Sequence, residues 1–123
     1  MSHLIEIFSG KTQRYTESGI TFSTAIKKQA VKGAVMINKN GIEGNEIANH
    51  KNAIYAVSED CYQYWKNHAE VNIDWHAGLL GENLYLSGLA ENSLFIGDFL
   101  HIGDVTLQVS GCRTPCGNLL WRL

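Results

Sequence analysis

Residues 78–89 read GLLGENLYLSGL and place a glycine-containing turn directly before a strand-like run. Leu84 and Leu86 alternate with Tyr85, and a period of two residues predicts a strand with one apolar face. Gly81 precedes this run and predicts the turn that opens it. This combination of turn and strand predicts a β-rich fold. Other parts of the chain show the same kind of pattern, a turn signal next to a short strand-like run.

Glu82 and Asn83 lie at the junction of this turn and strand, and they admit two interpretations. An ionised carboxylate only accepts hydrogen bonds, whereas an amide both donates and accepts them. The two side chains therefore either tie down backbone amides of the turn, or stand beside Gly81 in a turn whose N–H groups face an anion. Taken alone, the residues favour the first interpretation.

The remaining strands are predicted from short apolar runs separated by turn signals. The chain has twelve glycines and one proline, a composition typical of a mostly β fold with many turns. Gly103 and Asp104 separate two such runs and predict a tight hairpin. Besides residues 82–88, we predict strands at residues 4–9, 34–38, 53–58, 98–103 and 105–110.

One helix is predicted after Ser58, which can cap its N-terminus. Glu59 and Asp60 follow in the first turn, where the helix dipole favours acids. Cys61, Tyr62 and Trp65 are spaced to share one helix face. A second short helix is predicted within residues 23–28. Because antiparallel strands commonly close to remove their edges, we expect a closed or nearly closed β-barrel with one or two short helices.

Length and charge limit the classes of function. The chain of 123 residues suits a single domain spanning residues 1–123. A net charge of −2 argues against bulk nucleic-acid binding, which normally requires a basic surface. No apolar run approaches the roughly 20 residues that span a bilayer. The first residues lack the pattern of a signal peptide, so we expect a cytoplasmic protein.

The chain has three cysteines, Cys61, Cys112 and Cys116. An odd number argues against a disulfide framework, and the spacing lacks the paired clusters of a structural zinc site. Cys116 follows Arg113, and a nearby cation favours the reactive thiolate form of a cysteine. The alternative is that Cys116 is an inert, buried thiol at a strand end. Cys112 is a candidate resolving thiol for it.

The histidines give no metal signal. His50 lies in a polar loop, where a lone histidine is usually solvated. No two histidines show the spacing of a metal-binding pair.

Taken together, these stretches resemble the MOSC family, named for the C-terminal domain of molybdenum-cofactor sulfurases, and in particular its small stand-alone bacterial members. Residues 78–89 are similar to the family's Gly-x-Phe-Gly-Glu-Asn-Leu-x-x-x-Gly-Leu. The final segment resembles its Val-Ser-x-x-Arg-x-Pro-Cys. The similarity runs in order along most of the chain, and the other matching segments are STAIKKQAV (23–31), GIEGN (41–45), NAIYAVSEDCYQYW (52–65) and IGDFLHIGDVTLQVSGCRTPC (96–116).

The resemblance implies a barrel of the pyruvate-kinase-barrel kind that binds a molybdenum cofactor or passes sulfur to it. Service to N-hydroxylated substrates in a molybdenum-dependent reductase system is also implied. The family's functional cysteine falls on Cys116, which would carry sulfur as a persulfide or ligate the metal as a thiolate. The residues implied to line the pocket and hold the anionic cofactor are Arg113, Thr114, Gly81, Glu82, Asn83 and His50.

The chain departs from the family pattern on one side of this pocket. Asn45 stands where the family has aspartate, and Asn52 stands where it has a basic residue. The family's His-Gly-Gly-Pro-Asp loop is shortened, with His50 as its remnant. Three readings therefore stay open: a cofactor or sulfur carrier with a molybdoenzyme partner, a non-catalytic barrel that binds a small anion or a protein, and a redox sensor using Cys112 and Cys116. The sequence leaves open whether the protein is an enzyme.

Overall fold

The computed structural model describes residues 3–46, 54–70, 72–89 and 91–112. Within them the chain is mostly β with a single α-helix. The strands are β1 (His3–Ser9), β2 (Gln13–Glu17), β3 (Ile20–Thr24), β4 (Gln29–Val31), β5 (Ile37–Asn38), β6 (Gly41–Ile42), β7 (Ala56–Ser58), β8 (Leu84–Ser87), β9 (Phe99–Ile102) and β10 (Val105–Gln108). The helix α1 spans Glu59–His68, and a 3-10 helix spans Glu91–Ser93.

The largest sheet has four strands in the order β4-β1-β8-β7. Strand β1 is antiparallel to both of its neighbours, and Leu4 lies opposite Leu86 while Ile7 lies opposite Leu84. Strands β7 and β8 run parallel, since α1 and the segment after it carry the chain back to the start of the sheet. The sheet is therefore mixed, and its two inner strands come from distant parts of the sequence.

Strand β8 separates two apolar clusters, as the alternation of its residues predicts. Leu84 and Leu86 are buried together with Ile42 on one side. Tyr85 points to the other side, where it packs against the cluster of Val57, Tyr62 and Leu79. Complete burial of a leucine side chain contributes roughly 2–3 kcal/mol. The predicted strand is thus confirmed, and both of its faces are used.

The barrel prediction is wrong. Besides the main sheet, the described residues form three two-stranded sheets, β2-β3, β5-β6 and β9-β10, and none of these four sheets closes on itself. The prediction assumed antiparallel strands that close to remove their edges. Here the crossover through α1 makes β7 and β8 parallel, and the strands outside the main sheet pair only with their sequence neighbours as hairpins.

The predicted elements have mixed outcomes. The helix after Ser58 is confirmed, and the Ser58 hydroxyl accepts a hydrogen bond from the Cys61 N–H at 3.3 Å. The hairpin around Gly103 is confirmed as β9 and β10. The helix predicted within residues 23–28 is wrong, because β3 continues to Thr24 and an extended connection leads to β4.

The helix faces also differ in part from the prediction. Tyr62 is buried, Cys61 is partly buried, and Trp65 is exposed. Helix α1 therefore rests on the sheet through the Tyr62 side and leaves Trp65 on its outer side. No helix in the described ranges is long and apolar enough to cross a membrane.

Candidate functional site

The turn formed by residues 78–83 packs against the N-terminal part of the chain at two glycines. Gly78 has φ +88° and Gly81 has φ +81°, a left-handed conformation that favours glycine. A Cβ atom at Gly81 would lie 2.8 Å from Ile26 Cγ1, and one at Gly78 would lie 2.9 Å from Phe8 Cε1. The 78–83 turn therefore needs glycine both for its backbone conformation and for its close packing.

Glu82 is completely buried inside this turn. The Tyr62 hydroxyl lies 2.8 Å from each carboxylate oxygen and donates to them, while the Gly78 N–H donates to Oε2 at 3.0 Å. The same hydroxyl accepts from the Leu80 N–H at 3.0 Å. The carboxylate therefore binds one backbone amide of the turn directly and holds a second through Tyr62.

The environment of Tyr62 keeps its hydroxyl in the donating form. Burial raises the pKa of Tyr62 well above its usual range, and the charge of Glu82 raises it further. Tyr85 lies beside it with 5.6 Å between the ring centroids, and burial followed by the charge of Glu59 raises the pKa of Tyr85 as well. Both hydroxyls therefore stay protonated at neutral pH.

Asn83 connects β1 to the chain segment that enters β7. Its Oδ1 accepts from the Tyr55 N–H at 3.1 Å, and its Nδ2 donates to the Phe8 carbonyl at 3.0 Å. Its backbone adds bonds to the same two residues, at 2.8 Å from its own N–H to Tyr55 O and 2.7 Å from the Phe8 N–H to its carbonyl. The geometry fits the tying interpretation of Glu82 and Asn83. That either residue contacts a cofactor stays a prediction.

Gly10 is a second glycine at which separate chain segments pack closely together. It was not identified from the sequence. A Cβ there would lie 3.0 Å from the Lys27 carbonyl and 3.1 Å from Lys28 Cγ. Its N–H donates to Asn45 Oδ1 at 3.0 Å, and its carbonyl accepts from the Glu46 N–H at 2.8 Å. A glycine followed by a polar loop is too common a pattern to have revealed this contact.

Asn45 therefore has a specific structural task. The sequence comparison with the family pattern treats this residue as a charge lost from the pocket. An asparagine retains an oxygen in the position of a carboxylate oxygen, and that oxygen accepts the Gly10 N–H. In this chain the uncharged Asn45 side chain thus joins two segments by a hydrogen bond.

The structure brings together three of the motif segments. The connection between β3 and β4 contacts Gly81 through Ile26 and contacts Gly10 through Lys27 and Lys28. The Lys28 ammonium donates to the Ala25 carbonyl at 2.8 Å within this connection. Segments 23–31, 41–45 and 78–89 thus meet in one region of the protein.

Four of the predicted site residues, Cys116, Arg113, Thr114 and His50, lie outside the described residues. Cys112 is exposed at the end of the last described range, and Cys61 is partly buried on α1. Within the described ranges, no group of three or more His, Cys, Asp and Glu side chains is placed to hold a metal ion. The described part of the site is therefore a hydrogen-bonded support made of backbone and buried polar groups.

The sequence profile of the MOSC domain matches residues 28–122, most of the chain. The protein belongs to the MOSC domain family. This family is related to the C-terminal domains of molybdenum-cofactor sulfurases. The match spans the 78–83 turn and also the segment that contains Arg113 and Cys116.

Three curated proteins are similar over about nine tenths or more of this chain. Protein YiiM of Escherichia coli is 32% identical over 97% of this chain and 55% of its own length. The uncharacterized protein YflK of Bacillus subtilis is 31% identical over 89% of this chain and 52% of its own length. A protein of Gibberella moniliformis named reductase is 30% identical over 94% of this chain and 22% of its own length. The chain thus spans about half the length of YiiM and YflK.

Solved MOSC structures agree with the fold. The crystal structure of YiiM from Geobacillus stearothermophilus superposes with a TM-score of 0.72 at 29% identity, covering 99% of this chain and 56% of that one. YiiM from Escherichia coli gives a TM-score of 0.68 at 26% identity, covering 99% of this chain and 51% of that one.

Proposed function

We propose that this MOSC domain binds a molybdenum cofactor or carries sulfur for it, with Cys116 as the reactive group. The observation that carries the proposal is the family match, which extends to residue 122 and includes the Arg-x-Pro-Cys segment. A relative named reductase, similar over 94% of this chain, supports a place in a molybdenum-dependent reductase or sulfuration system. The partner in such a system would be a molybdoenzyme. A reactive thiol of this kind suits the reducing cytoplasm.

The roles follow from the chemistry of the residues. Cys116 as a thiolate carries sulfur as a persulfide or ligates the metal. Arg113 supplies a guanidinium that pairs with an anionic group, and Thr114 and His50 add hydrogen-bonding groups. When bound, the cofactor supplies the redox-active metal.

The described residues of the candidate site are compatible with an anionic cofactor, and their contribution is to hold the backbone of the site in place. An exposed carboxylate beside the cofactor would repel it, but Glu82 is completely buried and directs its oxygens to Tyr62 and Gly78. Gly81 and Asn83 then contribute by fixing the backbone on this side of the site. The donor set that meets the cofactor is Cys116 with Arg113, and a thiolate beside a cation matches a metal carried by an anionic ligand.

A second candidate function is that of a non-catalytic domain that binds a small anion or a partner protein. The observation in its favour is Asn45, which lacks the charge of the family's aspartate and uses its oxygen to hold Gly10. This function predicts indifference to changes at Cys116.

The test is the reaction rate of the Cys116 thiol with an alkylating reagent as a function of pH. The reference protein carries Cys112→Ser, because Cys112 is an exposed thiol in the same segment. We expect Cys116 to react at a pH below that of an ordinary thiol, and Arg113→Ala to shift the profile to higher pH. Released molybdenum cofactor is expected to protect Cys116, and Cys116→Ser to lose cofactor retention while the unfolding midpoint is unchanged.

An unreactive Cys116 that the cofactor does not protect would refute the proposal and favour the binding domain. A disulfide between Cys112 and Cys116 after mild oxidation of the wild type would favour the redox sensor.

A further inference from the structure

The hydroxyl of Tyr62 joins α1 to the 78–83 turn by hydrogen bonds to two residues of the turn, Leu80 and Glu82. It donates to Glu82, which in turn accepts the Gly78 N–H, and it accepts the N–H of Leu80. The Tyr62 hydroxyl thus binds the Leu80 backbone directly and the Gly78 backbone through the Glu82 side chain. It can do both because a hydroxyl donates and accepts hydrogen bonds.

The turn held in this way sets the position of neighbouring segments. Gly81 packs on Ile26 with no space for a side chain, and Gly78 does the same on the ring of Phe8. Asn83, the last residue of the turn, bonds to Phe8 and Tyr55. A displacement of the turn would therefore move the connection between β3 and β4 and the first residues of β8.

We infer that Tyr62 is a positioning residue of the proposed site. Its hydroxyl fixes the 78–83 turn and, through Gly81, the connection that carries Ile26. This inference rests on the proposed function, since it concerns the support of the cofactor-binding site. Tyr62 itself is 4% exposed, so it acts on the site through the turn.

The hydroxyl and the ring of Tyr62 have separable tasks. The ring packs with Val57, Leu79 and Tyr85, and a phenylalanine retains that packing. Removing only the oxygen leaves Glu82 with the Gly78 N–H as its remaining partner and leaves the Leu80 N–H without its acceptor. The turn then gains alternative conformations while the core stays filled.

The experiment compares Tyr62→Phe with Tyr64→Phe, a control that removes a hydroxyl from a 54% exposed tyrosine of the same helix. The first readout is amide hydrogen exchange at Leu80 and Gly78, and the second is the dissociation constant for released molybdenum cofactor. Both are measured at a temperature at which all proteins are folded. We expect exchange at both amides to be about tenfold faster and cofactor affinity to be about fivefold weaker in Tyr62→Phe. Tyr64→Phe is expected to match the wild type.

The outcomes separate the inference from the function on which it rests. Equal affinity in Tyr62→Phe and the wild type overturns the inference alone, even where the unfolding midpoint falls, because a purely structural role lowers stability without changing affinity. No cofactor binding by the wild type overturns the proposed function and the inference with it. If Tyr62→Phe does not fold, Glu82→Gln replaces it. This variant keeps one acceptor for the hydroxyl, and we expect a smaller loss of affinity in the same direction, whereas an unchanged affinity again overturns the inference.

Discussion

Three described turns contain a glycine followed by an acidic residue, at Gly81, Gly97 and Gly103, and the first two use the carboxylate in different ways. At Gly81-Glu82 the carboxylate is 0% exposed and bonds to Tyr62, which is twenty positions away in the sequence. At Gly97-Asp98 the carboxylate accepts the Phe95 N–H at 2.9 Å, within its own turn. Glu82 therefore links elements that are distant in the sequence, whereas Asp98 bonds to a backbone N–H of its own turn.

The surroundings of the two turns differ in the same way. The 78–83 turn is packed against Phe8 and Ile26. The second turn leaves Phe95 70% exposed and Ile96 76% exposed. A glycine followed by an acidic residue therefore predicts a turn. How much the acidic side chain stabilises the fold depends on which residues from other elements pack against it and bond to it.

The largest expected difference between the turns comes from removing each carboxylate. Glu82→Ala leaves the Tyr62 hydroxyl and the Gly78 N–H without their buried acceptor and opens a cavity. We expect a loss of about 3–4 kcal/mol in the free energy of unfolding. Asp98→Ala removes a partly exposed local bond, and we expect a loss of about 0.5–1 kcal/mol. Urea unfolding measures both, and equal losses would refute the contrast.

The glycines provide a second comparison. Gly81→Ala combines a positive φ with a Cβ that would lie 2.8 Å from Ile26, and we expect a loss of about 2–3 kcal/mol. Gly97 has φ +98° but no atom within 4 Å of its Cβ position, so Gly97→Ala keeps only the conformational term of about 1 kcal/mol. Thermal unfolding of the two variants checks this. A Gly97→Ala variant as unstable as Gly81→Ala would show that the loss of stability at both glycines comes from backbone conformation and not from packing.

The pH dependence of the free energy of unfolding tests the burial of the Tyr62 hydroxyl, which bonds to Glu82. The folded-state pKa of Tyr62 is raised, so below its ordinary value of about 10 both states hold the proton and stability does not depend on it. Above that pH the unfolded state loses the proton while the folded state keeps it. The free energy of unfolding therefore falls with rising pH, by at most about 1.4 kcal/mol per pH unit for one group.

Tyr62→Phe is expected to reduce this alkaline slope, and Tyr85, whose pKa is also raised, contributes to the part that remains. Urea unfolding between about pH 8 and pH 11 measures the slope. Tyr64→Phe should keep the slope of the wild type. An unchanged slope in Tyr62→Phe would contradict the burial of its hydroxyl.

The smallest effect is expected at the tip of the second turn. Ile96 is 76% exposed, so Ile96→Ser should change the free energy of unfolding by less than about 0.5 kcal/mol. Leu84→Ser, at a position that is 2% exposed in β8, is the matched core substitution and should be strongly destabilising. A large loss of stability in Ile96→Ser would show that its side chain is covered in solution.

Local features of the fold were predictable from the sequence because their causes lie within a few residues. Ser58 and the acids after it define the start of α1. Gly103 and Asp104 define the hairpin of β9 and β10, and the alternation around Tyr85 defines β8. Each signal arises from backbone conformation or from one-sided burial.

The arrangement of the sheets was not predictable in this way. The barrel expectation failed because strand order carries no direct mark of parallel pairing, and β7 pairs with β8 across a helix. The helix expected within residues 23–28 failed because burial of Ile26 against the 78–83 turn outweighs local propensity. Tertiary contacts decided both.

For the described part of the candidate site, the sequence indicated which residues form the turn and its polar side chains. It did not indicate which residues these side chains bond to. The interpretation in which Glu82 and Asn83 tie down backbone groups describes their bonds, while contact of Gly81, Glu82 and Asn83 with a cofactor stays a prediction. The partners Tyr62, Tyr55 and Phe8 could not be named in advance, since each lies in a different element. Cofactor contacts of Cys116 and Arg113 stay predictions.

The pairing of Leu4 with Leu86 has a consequence for synthesis of the protein. These two residues are separated by more than 80 positions, and they lie on the two inner strands of the main sheet. A ribosome that adds about 5–20 residues per second exposes β1 for several seconds before β8 emerges. During that interval, of its two partner strands in the main sheet, β1 has only the three-residue β4, so the nascent chain completes this sheet only after β8 has been synthesised.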